Sequence, residues 1–175
     1  MTKKDKKSHP VSAICSTLGT VLLILIIALC IPIILPQTLG YDVYAVISGS
    51  MEPAIPTGSL VIIEATEPSG IESGDVIAYH GGLDSNAIIT HRVVENRVIM
   101  GEMITKGDAN AEIDMHPIGY HEFIGKVIFS LPEFGELAQI LTSVAGKITA
   151  ACIIIAALLL HVLANIFAKN VNSEQ

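Results

Sequence analysis

The chain has 175 residues and a formal net charge of -7, and hydrophobic residues make up 51% of it. Charged residues make up only 15%, against about 25% in typical soluble domains, and the mean hydropathy is +0.60, so membrane segments are expected. The region between residues 41 and 147 is acidic and would be repelled by phosphate backbones, which argues against nucleic acid as a partner.

A long apolar segment follows a short basic tail. The tail, residues 1–10, carries four lysines, and the segment 11–36 contains an apolar core of roughly 25 residues, enough to cross a bilayer. Such a run exceeds the roughly 7–15 residues typical of the core of a cleaved signal peptide, which is the alternative interpretation. An uncleaved transmembrane anchor is therefore predicted. The lysines place the tail in the cytoplasm by the positive-inside rule.

The region 40–146 is predicted to be a small, mainly β domain. Apolar and β-branched runs alternate with turn signals rich in Gly, Pro and Asp, and no helical pattern separates them. This pattern predicts an antiparallel or mixed sheet. The predicted strands are Val43–Ile47, Leu60–Ile63, Val76–Tyr79, Ala87–Val94, Val98–Ile104 and Phe123–Phe129.

A second apolar segment follows this domain. Residues 132–146 carry a weak helical pattern, and residues 148–168 are apolar over about 20 positions, which predicts a second transmembrane helix. The tail 169–175 then returns to the cytoplasm. The expected protein is a multi-pass protein of the cell membrane, with both termini cytoplasmic and the β domain extracytoplasmic.

A serine on a turn is the first candidate for chemistry. Ser50 lies between two strand-like runs, and two nearby prolines hold the backbone out of helical conformation. A serine becomes a useful nucleophile only with a base beside it. His91 lies in a strand-like stretch that would fix the direction of its imidazole. The alternative interpretation of His91 is a half-buried histidine on a sheet face.

An acidic residue that orients the base would complete a catalytic set. Two residues are candidates, Asp108 in a Gly-Asp turn and Asp114 six positions later. Asp108 has an alternative explanation as a turn residue that caps its own backbone. The residues alone leave the choice between the two open.

Four short motifs in this chain resemble the successive motifs of type I signal peptidases. The similarity is to their endoplasmic-reticulum-type branch, as found in Gram-positive bacteria and archaea, and covers roughly residues 40–129. The motifs, in order, are Ser48-Gly49-Ser50-Met51-Glu52-Pro53, Gly74-Asp75-Val76-Ile77, Thr90-His91-Arg92-Val93 and Lys106-Gly107-Asp108-Ala109-Asn110.

The resemblance implies a role for each candidate residue. Ser50 would be the nucleophile and His91 the general base, in place of the lysine that common bacterial signal peptidases use. Asp114 matches the orienting aspartate, while Asp108 is also needed in relatives, and the choice between them stays open. The hydroxyl of Ser48 and the backbone N–H of Ser50 would stabilise the oxyanion.

The resemblance also implies the substrates. These would be signal-peptide-bearing preproteins at the surface of the lipid bilayer, cleaved after small residues whose pockets Met51 and Ile47 help to shape. No metal or cofactor is expected, and His116 and His121 lack the spacing of zinc ligands. The alternative function is a membrane-anchored β domain that acts as a non-catalytic binding or chaperone module.

Overall fold

The computed structural model describes residues 10–81 and 87–173, which form two compact units. One unit is Ile33–Ile140, and the other combines Met1–Pro32 with Leu141–Gln175. The first unit contains the β domain, and most of the length of two long helices belongs to the second.

The two long helices are α1, Pro10–Thr38, and α3, Val144–Ser173. The most apolar 18-residue stretches of the two helices have mean hydropathies of 3.1 and 2.5, so each helix is long and apolar enough to cross a membrane. The start of α3 is capped by Ser143, whose Oγ accepts a hydrogen bond of 3.0 Å from the backbone N–H of Gly146. By length and composition the two helices are candidates for the predicted membrane spans, and the membrane crossing itself stays a prediction.

The second unit holds α1 and α3 together through small residues. The Ser12 hydroxyl donates a 2.8 Å hydrogen bond to the backbone carbonyl of Ala164. Seven residues further along α1, a Cβ on Gly19 would lie only 2.9 Å from the carbonyl oxygen of Ala157. Small residues allow such close approach of two helix backbones. Because the start of α1 contacts the later part of α3, the two helices run antiparallel.

Within the described residues, the β domain is a curled sheet of seven antiparallel strands. Their order across the sheet is β1-β2-β7-β3-β4-β5-β6. The strands are β1 Asp42–Ala45, β2 Leu60–Glu64, β3 Val76–His80, β4 Ile88–Arg97, β5 Glu102–Lys106, β6 Ile118–Gly119 and β7 Phe123–Leu131. The predicted fold class, a mainly β domain between two apolar helices, is confirmed.

Both faces of the sheet bury apolar side chains. Along the central strand β3, Ile77 and Tyr79 join one cluster, while Ala78 joins the other. This alternation follows from the two-residue period of a strand. The first cluster contains Ile71, Ile77, Tyr79, Val93, Met103 and Ile118, and the second contains Met51, Ile55, Val61, Ile63 and Ala78.

One predicted strand differs from the structure. The run Val98–Ile104 was expected to be continuous, but residues 98–101 form the turn between β4 and β5. Gly101 adopts a φ of +68°, a conformation that favours glycine, and its N–H bonds back to the carbonyl of Arg97. Val98, Ile99 and Met100 are apolar but exposed, so their hydrophobicity misled the strand prediction.

A short helix follows the sheet. Helix α2, Phe134–Thr142, covers much of the region where a helical pattern was predicted. Its first turn is fixed to the β domain because the N–H of Gly135 donates a 2.8 Å hydrogen bond to the carbonyl of Gly58. A Cβ on Gly135 would collide with the carbonyl oxygen of Ser59, so only glycine permits this approach.

Candidate active site

The serine turn is a loop whose two ends are tied together. Between β1 and β2, the N–H of Val46 donates to the carbonyl of Ser59, and the N–H of Gly58 donates to the carbonyl of Val46, each at 2.8 Å. Within the loop, a carboxylate oxygen of Glu52 accepts hydrogen bonds from the backbone and the hydroxyl of Thr57 at 3.3 and 2.9 Å. These hydrogen bonds restrain the loop from within the protein.

The predicted nucleophile lies at the partly exposed edge of this loop. Ser50 Oγ lies 3.4 Å from Ser48 Oγ, so the two hydroxyls face the same space. Ile47 is 81% exposed beside them, whereas Met51 is 1% exposed and packs in the core with Ile55. Met51 thus attaches the turn to the hydrophobic core, and its contact with substrate stays a prediction.

The predicted base, itself buried, has two partners, a buried tyrosine and a partly exposed aspartate. His91 is 8% exposed on β4, and its Nδ1 lies 2.6 Å from Asp114 Oδ2. The hydroxyl of Tyr79, on the neighbouring strand β3, lies 3.3 Å from the same nitrogen. A carboxylate only accepts hydrogen bonds, so the hydrogen of this contact lies on Nδ1. In a neutral imidazole the lone pair is then on Nε2, which is the tautomer that a general base requires.

Asp114 reaches His91 from the loop between β5 and β6. Its backbone N–H donates a 2.9 Å hydrogen bond to the carbonyl of Thr105, and the Thr105 hydroxyl donates a 2.6 Å bond to Asp114 Oδ2. Thr105 lies on β5 and is fully buried. The aspartate is thus attached to the sheet at both its backbone and its side chain.

Asp108, the other candidate, has a different partner. Arg92 donates two hydrogen bonds to its carboxylate, from Nε at 2.8 Å and from Nη2 at 2.6 Å. These bonds lower the pKa of Asp108 below its ordinary value, although partial burial acts in the opposite direction. Arg92 also bonds the carbonyl of Gly74 at 2.7 Å. Asp108 therefore forms a structural ion pair, and Asp114 is the carboxylate that contacts His91.

The loop that carries Asp108 also contacts the serine turn. The N–H of Ala109 donates a 2.9 Å hydrogen bond to the carbonyl of Ser50, and a Cβ on Gly107 would lie 2.6 Å from that same oxygen. In the part of the chain that the structure describes, no hydrogen bond joins Ser50 Oγ to His91. The two are linked instead through this loop, since β5 leads from Thr105 directly into it.

Two residues of the site were not singled out from the sequence. Thr105 and Tyr79 contact the His91–Asp114 pair, yet each looks like an ordinary strand residue. Thr105 stands directly before the Lys106-Gly107-Asp108 motif, the one signal that could have drawn attention to it. For metals, the described residues contain no group of three or more His, Cys, Asp and Glu side chains arranged to bind an ion.

Comparison with known proteins adds a relative of known name. Signal peptidase I W of Bacillus subtilis (strain 168) is 40% identical to this chain over 86 residues. This similarity supports the signal peptidase I family. The match covers 47% of this chain and 44% of the relative, so the chain spans less than half of that protein. No protein-family model matches the chain, and the endoplasmic-reticulum-type branch stays a prediction.

Proposed function

We propose that this protein is a membrane-bound serine endopeptidase that removes N-terminal signal peptides from exported preproteins. The observation that carries the proposal is the 2.6 Å contact between His91 Nδ1 and Asp114 Oδ2, within a chain 40% identical over 86 residues to a signal peptidase I. A non-catalytic binding module has no need for a buried histidine held in one tautomer by an aspartate.

The proposed reaction begins at Ser50. His91 Nε2 accepts the hydroxyl proton of Ser50 as Oγ attacks the scissile carbonyl carbon, and the carbonyl π electrons move onto its oxygen. The tetrahedral intermediate collapses as the C–N bond breaks, and His91 gives its proton to the leaving amine. A water molecule then attacks the acyl carbon as His91 Nε2 takes its proton. The ester C–O bond breaks, and His91 returns that proton to Ser50 Oγ. Asp114 keeps the ring oriented and stabilises its charged form throughout.

The separation of Ser50 from His91 does not conflict with this mechanism. In serine hydrolases the bond between nucleophile and base often becomes short only when the substrate is bound. The backbone of Ser50 is restrained by the hydrogen bond between its carbonyl and the Ala109 N–H, so in the proposal the serine side chain moves toward His91 Nε2. In the proposal the hydroxyl of Ser48, which lies 3.4 Å from Ser50 Oγ, donates to the developing oxyanion together with the Ser50 N–H.

The proposed substrates and location follow from the two apolar helices. An enzyme anchored by α1 and α3 acts at the bilayer surface, where a preprotein held by its own apolar signal segment is also present. The cleavage site would bind in extended form, with small residues one and three positions before the scissile bond. The exposed Ile47 contacts these residues in the proposal. The antiparallel helix pair supports a topology with both termini on the cytoplasmic side.

A cleavage assay tests the proposal. The purified full chain in detergent micelles should convert a preprotein with small residues at these two positions to its mature form. Ser50→Ala should abolish the conversion, because the attacking hydroxyl is lost. Ser69→Ala, which alters an exposed serine in the turn Pro68–Gly70, should keep the parent rate. Equal conversion by the Ser50→Ala protein and the parent would overturn the mechanism.

A further inference from the structure

The His91–Asp114 pair contacts side chains from the two strands on either side of β4. Tyr79 on β3, His91 on β4 and Thr105 on β5 lie on one face of the sheet, because Ile77 pairs with His91 and Val93 pairs with Thr105. Each is therefore diagonal to the next across the strands. Asp114 alone comes from a loop, and a loop residue needs support to hold a precise position.

Thr105 supplies that support at two points. Its carbonyl accepts the Asp114 N–H at 2.9 Å, and its hydroxyl donates to Asp114 Oδ2 at 2.6 Å. The same oxygen accepts a 2.6 Å hydrogen bond from His91 Nδ1, so both lone pairs of Oδ2 are used. The carboxylate, which is 20% exposed, cannot rotate without breaking hydrogen bonds to His91 and Thr105, and both of these residues are buried. A buried donor left without a partner is costly.

Tyr79 closes the other side of this group. Its ring meets the His91 ring edge-on, with the centroids 6.2 Å apart and the planes at 70°. Its hydroxyl lies 3.3 Å from Nδ1 and also faces Thr105 and Asp114. Burial, together with the negative charge of Asp114, raises the pKa of Tyr79 to about 12, whereas the Thr105 hydrogen bond works to lower it, so the phenol stays neutral at physiological pH.

We propose that Thr105 and Tyr79 are positioning residues that act on the reaction through Asp114 and His91. Thr105 fixes the carboxylate, and Tyr79 limits the rotation of the imidazole and completes the polar surroundings of Nδ1. Neither touches the reacting atoms. The inference deepens the proposed function and rests on it.

Paired substitutions at Thr105 separate positioning from packing. Thr105→Val keeps the volume but removes the donor, and we expect kcat on preprotein to fall on the order of 10²-fold with KM little changed. Thr105→Ser keeps the hydroxyl and should retain most of the parent kcat. Tyr79→Phe should lower kcat roughly 2- to 10-fold, as expected for the loss of one neutral hydrogen bond. Thr66→Val is the matched control, because the Thr66 hydroxyl donates to the adjacent Glu67 carbonyl at 3.4 Å and makes no hydrogen bond to Asp114 or His91.

A spectroscopic measurement makes the test independent of cleavage. In histidine-labelled full chain in micelles, the His91 Nδ1 proton should give a strongly deshielded NMR signal. The Thr105→Ser variant should retain this signal. The Thr105→Val variant should lose it, because the proton then exchanges with solvent. That result supports the positioning role even if Ser50→Ala were to leave cleavage intact. An unchanged signal and kcat in Thr105→Val would overturn the inference. It would also be overturned if the Val and Ser variants lost activity equally, in proportion to lost thermal stability.

Discussion

Two aspartates six residues apart in one loop have different partners. Asp108 meets the planar guanidinium of Arg92, whose two parallel donors match a carboxylate, whereas Asp114 meets the single donor of an imidazole. Spacing alone left both candidates open for the catalytic role, because the path of a loop without regular structure is not readable from residue numbers. The contact with Arg92 fixes Asp108, and the contact with Thr105 holds Asp114 beside His91.

The Asp108–Arg92 pair predicts a loss of stability in acid. Arg92 lowers the pKa of Asp108 in the folded chain below its ordinary value of 3.8. The folded state therefore binds fewer protons than the unfolded state there. The stabilisation is fully present above that value and is lost as the pH falls through the folded-state pKa.

Denaturant unfolding at several pH values measures this effect. Asp108→Asn should be less stable than the parent at neutral pH, because a charged partner of Arg92 is removed. Between about pH 5 and about pH 2 it should lose less further stability than the parent does. Equal declines in the two proteins would show that this pair contributes nothing to the pH dependence.

Ser48 carries a second prediction at this scale. If its hydroxyl donates to the oxyanion, Ser48→Ala should lower kcat by about 10²–10³-fold with KM little changed. Since Ser48 is exposed, thermal unfolding should be unaffected. Steady-state cleavage of a preprotein, with Ser69→Ala beside it, measures the change. A parent-like kcat in Ser48→Ala would remove Ser48 from the mechanism.

At the scale of elements, the site depends on the contact between two loops. The serine turn between β1 and β2 meets the loop after β5 where Ala109 donates to the carbonyl of Ser50. Gly107 makes this approach possible, because a side chain there would meet both Ser50 and Asn110. The two loops are far apart in sequence, so the contact sets the distance from Ser50 to the sheet that carries His91.

Gly107→Ala should therefore impair catalysis more than folding. The added Cβ would lie 2.6 Å from the Ser50 carbonyl oxygen and 2.8 Å from Asn110 Nδ2, so the loops must separate. We expect kcat to fall on the order of 10²-fold, as for a misplacement of about 1 Å. Gly70→Ala is the control, because nothing lies within 4 Å of its Cβ position. Similar kcat values for the two variants would contradict the proposed coupling.

At the scale of the whole molecule, local sequence patterns predicted which segments form helices and which form strands. They did not predict which strands pair with each other across the sheet. The two apolar helices and most strands followed from runs of apolar residues. The position of β7 between β2 and β3 did not, since its partners are distant in sequence and no local signal specifies them. The exposed apolar turn at Val98–Met100 misled the strand prediction because hydrophobicity there does not report burial.

The candidate site shows the same division. Ser50, His91 and the two aspartates were found from short motifs, because their residue types and order resemble a known family. The supporting Thr105 and Tyr79 were missed, because a buried threonine or tyrosine on a strand has the appearance of ordinary core. Their importance is visible only when strands β3, β4 and β5 are side by side.

The central claim is that the His91–Asp114 pair serves Ser50 in cleavage. The most direct measurement compares kcat on a preprotein for Asp114→Asn and Asp108→Asn in the full chain. We predict a loss on the order of 10⁴-fold for Asp114→Asn, the size found when an amide replaces the orienting carboxylate in another serine protease. Asp108→Asn should lower kcat far less, because the carboxylate of Asp108 contacts Arg92 and not His91. The reverse ranking would contradict the account.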